Sequence, residues 1–205
     1  MALEIRPADK LKIIVIEYLI SKYPGVIIGN EIMYGTTRKV VDLLALYNGE
    51  TFAIEIKSEK DNMNRLLSQL KEYSLIFDHT FVFLDSKHVN SVLSLKFPKL
   101  SIFEITDNKV NVIKISDEIN RTTKQEMLYS VSSSYIKKFF QLPKNLNSDL
   151  IRKKVMKDYN KNIIHSLLYT FLEEKLKENF KLLMKVGKYK ITVDDLIVLS
   201  SRLNL

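Results

Sequence analysis

The chain has 205 residues, 46% hydrophobic and 27% charged, which suits one domain, or one domain with a small appendage, and argues against wholesale disorder. It holds no Cys and only three scattered His (His79, His88, His165), which excludes disulfides, thiolate nucleophiles, iron–sulfur clusters and Cys-ligated zinc and disfavours a His-rich metal centre. The formal net charge of +8 suits a polyanionic partner, and it is confined. Residues 1–120 carry 15 Lys+Arg against 16 Asp+Glu, whereas residues 121–205 carry 17 against 8. A Lys-rich bias on solvated helices would give the same excess.

The first 120 residues read as α/β. From Asp9 to Tyr23, Leu11, Ile14, Val15, Tyr18 and Leu19 recur at helical spacing until Pro24-Gly25. Val26 to Met33 reads as a strand. Arg38 to Tyr47 and Glu50 to Ser58 are extended runs around Asn48-Gly49, a dipeptide that favours positive φ at both positions and signals a two-residue hairpin. Asp61 to Phe77 returns to helical period. His79 to Leu84 predicts a strand and Ser86 to Leu95 a short helix. Leu100 to Ile105 and Val110 to Ile115 predict strands around Thr106-Asp107-Asn108. After Thr122 the strand signals end: Gln125 to Phe140, Ser148 to Met156, Asn160 to Leu183 and Val193 to Leu203 all read as helices. No apolar stretch is long enough for a secretory or membrane-spanning segment, so a cytoplasmic protein with no membrane partner is expected.

The hairpin register places the chemistry. With a two-residue loop, Tyr47 pairs with Glu50, Asp42 falls opposite Glu55, and Lys57 stands two residues along on the same face, opposite Val40. Facing carboxylates in an apolar hairpin are costly unless positive charge lies between them, and a divalent cation with oxygen ligands would supply it. Lys57 could then orient water and stabilise charge on a phosphoryl group, or simply neutralise the carboxylates. Arg65, Gln69 and Tyr73 share one helical face at i, i+4 and i+8. His79 and His88 lack a carboxylate at a convincing spacing and read as structural.

Asp42, a twelve-residue spacer and Glu55-Ile56-Lys57 resemble the PD-(D/E)XK nuclease superfamily, with Val41 standing where a Pro often precedes the Asp. Gln69 and Tyr73 resemble the Gln-x-x-x-Tyr helix motif of its RecB-like branch. The stretch from Asp42 to Leu84 is similar to a little-characterised group of bacterial and phage or prophage proteins in that superfamily. The resemblance implies an α/β, restriction-endonuclease-like core, a mixed central sheet flanked by helices, in residues 1–120, followed by a basic α-helical extension in 121–205. It implies Asp42, Glu55 and the Ile56 carbonyl as ligands of Mg²⁺ or Mn²⁺, Lys57 as catalytic lysine, and Gln69 and Tyr73 beside the site. Of two candidates for a further carboxylate, Glu31 is preferred to Glu17. Arg38, Lys39, Arg65 and the run Arg152-Lys153-Lys154 are the phosphate-contact candidates.

The expected function is a metal-dependent nuclease acting on nucleic acid, DNA in the first instance. The rivals are a catalytically silent nucleic-acid-binding module of the same fold and a protein-interaction subunit of a phage or defence system. A homodimer or a protein partner is compatible with each.

Overall fold

The structure is a computed structural model and describes residues 6–143, 145–186 and 190–200. Helix α1 (Pro7–Lys22) has Pro at its first position, where the missing N–H costs nothing, and ends just before Pro24-Gly25. Strands β1 (Ile27–Tyr34), β2 (Lys39–Tyr47) and β3 (Glu50–Lys57) follow as an antiparallel meander. Asn48 (φ 50°) and Gly49 (φ 82°) both adopt positive φ in the β2–β3 loop, so the dipeptide makes the turn its composition predicts. Helix α2 (Leu66–Ser74) carries the chain over to β4 (His79–Asp85), parallel to β3. A 3₁₀ turn and α3 (Val89–Ser94) then lead to β5 (Leu100–Thr106), parallel to β4, and β6 (Lys109–Lys114) closes the sheet antiparallel to β5. The six strands lie in sequence order in one mixed sheet.

The last part of the described chain is helical: α4 (Lys124–Tyr129), α5 (Ser133–Phe139), α6 (Ser148–Asp158), α7 (Lys161–Val186) and α8 (Val193–Leu199). A mixed sheet flanked by helices, with a C-terminal helical region, is the fold class expected. Two local expectations fail. The helix expected from Gln125 to Phe140 is split, because the Ser132 hydroxyl accepts from the Tyr135 N–H and caps a new helix. The helix expected from Asp61 starts only at Leu66, because the Asp61 carboxylate is taken by the Ser58 N–H and hydroxyl. The helix expected to run to Leu203 ends at Leu199, because Ser200 turns extended and bridges to Asn30 of β1, and the Gly187-Lys188 linker lies outside the described residues.

Both faces of the sheet are covered. Leu44, Leu46, Ala53 and Val82 pack with Leu66, Leu70 and Tyr73 of α2 and with Met127, Ile136, Ile151, Leu168 and Leu172 of α4 to α7. Leu43, Ala45, Ile54, Phe83 and Phe103 pack on the other face with Val15, Ile16 and Leu19 of α1 and Leu196 and Leu199 of α8. Each such side chain, fully buried, contributes about 1.5–3 kcal/mol. The hydrophobic cluster on the first face runs through residues on both sides of position 120. Among the described residues, no helix is long and apolar enough to cross a membrane.

Alternation along the first two strands is reset at one place. In β2, Leu43 and Ala45 face α1 while Leu44 and Leu46 face α2, yet Val41 joins the α2 side. In β1, Ile28 faces α1, whereas Ile32 and Tyr34 face the other way. The two resets coincide, because the pairs Asn30–Leu43 and Ile32–Val41 put Glu31 across from Asp42. Glu31 has φ 53°, the left-handed region that costs a non-glycine residue on the order of 1 kcal/mol.

A candidate metal-assisted catalytic site

The expected register holds from Tyr47–Glu50 to Leu43–Ile54 and then stops one pair short of Asp42–Glu55. The reset at Glu31 and Asp42 is the reason. Instead of standing directly across from Glu55, Asp42 accepts a hydrogen bond on Oδ2 from the Ile56 backbone N–H at 2.9 Å. That bond keeps its carboxylate against the Glu-x-Lys strand. Glu55 itself is 1% exposed, so its charge needs partners, and it has three. Lys57 Nζ lies 2.7 Å from Oε1, Gln69 Nε2 donates to the same oxygen at 2.7 Å, and the Tyr73 hydroxyl donates to Oε2. Lys57 Nζ also reaches Gln69 Oε1 at 3.4 Å. Lys57, aligned by the hairpin register, and Gln69 and Tyr73, assigned from the helix-motif resemblance, therefore gather around the Glu55 carboxylate, with Asp42 alongside through the Ile56 N–H. Gln69 and Tyr73 do so because they are one helical turn apart on α2, which packs on the face Glu55 points to.

The electrostatics fit a site short of positive charge. Burial, then the charge of Glu55, push the Asp42 carboxyl up to about 7, against the Ile56 N–H and the ammonium groups of Lys12 and Lys57. Burial, then the charge of Glu55 and the hydrogen bond to it, push the Tyr73 hydroxyl well above its usual range and keep it a donor.

Lys12 is the functional neighbour that sequence reasoning missed. It is 6% exposed, and its Nζ donates to Asn30 Oδ1 at 2.9 Å and Glu31 Oε1 at 3.2 Å. The available signal was its place on the apolar stripe of α1, three, four and seven residues before the buried Val15, Ile16 and Leu19. Glu31 therefore lies at the site and is ion-paired there. Glu17 accepts from the Ile191 N–H and belongs to the α8 end of the molecule.

The expected phosphate contacts are dispersed. Lys39 pairs with Glu72 at 2.5 Å. Arg65 is exposed at the start of α2, where its carbonyl accepts from the Gln69 N–H. Arg152 lies over the Tyr129 ring at 4.7 Å and donates to the carbonyls of Leu128, Val131 and Ser148, tying α6 to the α4–α5 connection. Lys154 pairs with Asp158 at 2.9 Å, and Lys153 is exposed. Arg38 is exposed, with φ 53°.

His79 and His165 have carboxylate partners that sequence spacing did not reveal. His79 lies 3.0 Å from Glu50, and His165 of α7 lies 2.8 Å from Asp78, which also accepts from the Thr51 N–H and hydroxyl. Burial pushes the Asp78 carboxyl up, but the His165 hydrogen bond and charge with the Thr51 bonds outweigh it, and the net shift is downward. His88 meets the Ser58 carbonyl at 3.1 Å. His165 fastens α7 to the sheet, His88 fastens the β3–α2 loop, and His79 joins the starts of β3 and β4, contacts of the structural kind expected for His79 and His88.

Asp42, Glu55 and the Ile56 carbonyl are hard oxygen donors, and the burial and Glu55 repulsion that raise the Asp42 carboxyl are what a cation would offset. Among the described residues no three His, Asp or Glu side chains are gathered as a ligand set, so Glu31 does not complete a trio with Asp42 and Glu55. The donor set suits a metal that keeps water ligands and takes only one or two carboxylates, as Mg²⁺ does.

Fold and site together define a mixed α/β protein with a buried carboxylate–lysine centre at the end of a hairpin. A family model described as "Bacteriophage P4 protein cII" matches residues 1–200, and the chain belongs to that family. No curated protein matches it. Among solved structures, a protein of unknown function from Silicibacter pomeroyi, SPO1766, shows 17% identity with a TM-score of 0.48, covering 76% of this chain and 94% of that one. SfsA from Pyrococcus furiosus, solved in complex with Ca²⁺, shows 10% identity with a TM-score of 0.32, covering 54% of this chain and 61% of that one.

Proposed function

We propose that this phage-family protein is a PD-(D/E)XK nuclease of the RecB-like branch, hydrolysing phosphodiester bonds of nucleic acid, DNA in the first instance, with Mg²⁺ or Mn²⁺. The observation that carries this reading is the convergence of Lys57, Gln69 and Tyr73 on the buried Glu55, with Asp42 held alongside through the Ile56 N–H. A structural ion pair needs one partner for a carboxylate; this one has an ammonium, an amide and a phenol fixing both its oxygens, the support that preorganises a reacting site.

Asp42, Glu55 and the Ile56 carbonyl would hold the ion, which would supply Lewis-acid stabilisation of the phosphoryl oxygens and a lower pKa for the attacking water. Lys57 puts a fixed positive charge beside the position where those oxygens gain negative charge. Gln69 and Tyr73 are positioning residues that hold Glu55 in one orientation. The same saturation of Glu55 also favours a second reading, a silent nucleic-acid-binding module whose carboxylates are satisfied internally.

Incubation of the purified chain with single-stranded, duplex, flapped and branched DNA separates the two. Cleavage that requires Mg²⁺ or Mn²⁺ and is lost, by at least about a hundredfold, in Asp42→Ala and Lys57→Ala supports the nuclease. Intact substrates, or cleavage that survives both substitutions, refute it.

A further inference from the structure

A groove of about 790 Å³ opens between β1 and the helices α4 to α7, lined among others by Glu31, Tyr34 and Val40 and by Arg38, Phe171 and Lys175. Glu31 and Val40 bring it up beside the candidate site, since Glu31 lies across from Asp42 and Val40 is two residues before it, while Asp42 and Glu55 themselves are not among its lining residues. Its wall carries charge without compensation. Among the described residues no salt bridge reaches Arg38 or Lys175, and Lys175 Nζ sits 5.8 Å from the centre of the Phe171 ring rather than beside a carboxylate. Elsewhere the cations near the site are spent: Lys12 on Glu31, Lys57 on Glu55, Lys39 on Glu72.

We propose that this groove binds a single-stranded segment of nucleic acid, with Lys175 and Arg38 as its phosphate contacts. Two unpaired cations facing one space, over an aromatic surface, are what a phosphodiester strand with stacking bases requires. The volume lies within the range of enclosed ligand clefts, about 300–1,000 Å³, and accepts a few nucleotides of one strand; a duplex, whose phosphates lie on a convex surface, meets only the rim. Burial and the neighbouring Arg38 both lower the Lys175 ammonium, the mark of a partly desolvated cation with no anion beside it. A bound phosphate would relieve that repulsion. The groove deepens the nuclease reading, on which it rests only for the idea that the strand ends at Asp42 and Glu55.

The test is fluorescence anisotropy of a labelled 15-residue oligothymidylate with the full chain in EDTA, so that no cleavage enters. Lys175→Gln and Arg38→Gln are each expected to weaken binding by about tenfold and to lower the slope of log affinity against log salt by about one. Lys175→Arg should retain binding, and Lys109→Gln, on the strand at the opposite edge of the sheet, should leave it unchanged. Circular dichroism verifies that the variants are folded. The proposal is overturned if the wild-type chain does not bind the oligomer, if both groove substitutions leave affinity unaltered, or if Lys109→Gln weakens it as much. It is equally overturned if a duplex of the same length binds tighter with the same dependence on Lys175. Groove binding without cleavage when Mn²⁺ is added would refute the nuclease reading alone, and cleavage with binding indifferent to Lys175 and Arg38 would refute the groove alone.

Discussion

Asp42 shows how the site holds charge that the fold does not need. Its carboxyl is raised by burial and by Glu55, so its ionised form weakens the folded state: stability from the protonated form is present at low pH and lost as pH rises from about 4 through about 7. Asp42→Asn keeps an oxygen for the Ile56 N–H and removes the repulsion. It should raise stability to denaturant at pH 8 by about 1 kcal/mol, a figure kept small because the Ile56 N–H and the Lys12 and Lys57 ammonium groups already offset part of the cost, and the gain should shrink below pH 7. An unchanged or lowered midpoint at pH 8 would mean that Lys12 and Lys57 already compensate the pair. At this scale, the hairpin register made Asp42, Glu55 and Lys57 legible, and the resemblance to a helix motif, with its one-turn spacing, added Gln69 and Tyr73. Lys12 was not legible as a site residue, because its partner Glu31 lies on another element and a lone Lys on an apolar stripe gives no direction. Lys175 was obscured in the same way, being one of many lysines of the helical half, distinguished only by what it lacks.

Among the elements, β1 and α7 pack closely at Gly29. A Cβ there would lie 2.6 Å from Leu176 Cδ2 and 2.9 Å from Ile32 Cδ1, so Gly29→Ala forces the buried α7 side chain aside. The expected cost is about 1–3 kcal/mol, or a melting temperature lower by roughly 3–10 °C. An unchanged melting temperature would show that Leu176 finds another rotamer freely. Strand identity and the β2–β3 hairpin were readable because Asn48-Gly49 encodes its own turn. The failures occurred where a polar side chain competed with the helix: Asp61 turning back to Ser58, and Ser132 starting a new helix inside a continuous helical period. The reset of alternation at Glu31 and Asp42 left no trace in the hydrophobic pattern, since both strands are apolar on both faces. His165 and Asp78 were unpaired in the sequence for the same reason as Lys12, their contact joining α7 to the start of β4.

For the molecule as a whole, the composition change near residue 120 marks a change of charge and of secondary structure, while the hydrophobic cluster crosses it. A chain ending at residue 120 would strip Met127, Leu168, Leu172 and their neighbours from the face that carries Leu44, Leu46 and Val82. It should therefore lack a cooperative thermal transition and bind a hydrophobic dye; a sharp transition from the fragment would show that the sheet half folds alone. The neutral sheet half carries the carboxylates, and the basic helical half supplies one wall of the groove that opens beside Glu31. The central claim is that Asp42 and Glu55 form a cation site. The most direct measurement is anomalous diffraction from a crystal soaked in Mn²⁺. A peak is expected about 2.1 Å from carboxylate oxygens of both Asp42 and Glu55, absent in Asp42→Asn crystals. A peak elsewhere, or none while Lys57, Gln69 and Tyr73 keep their hold on Glu55, would contradict it.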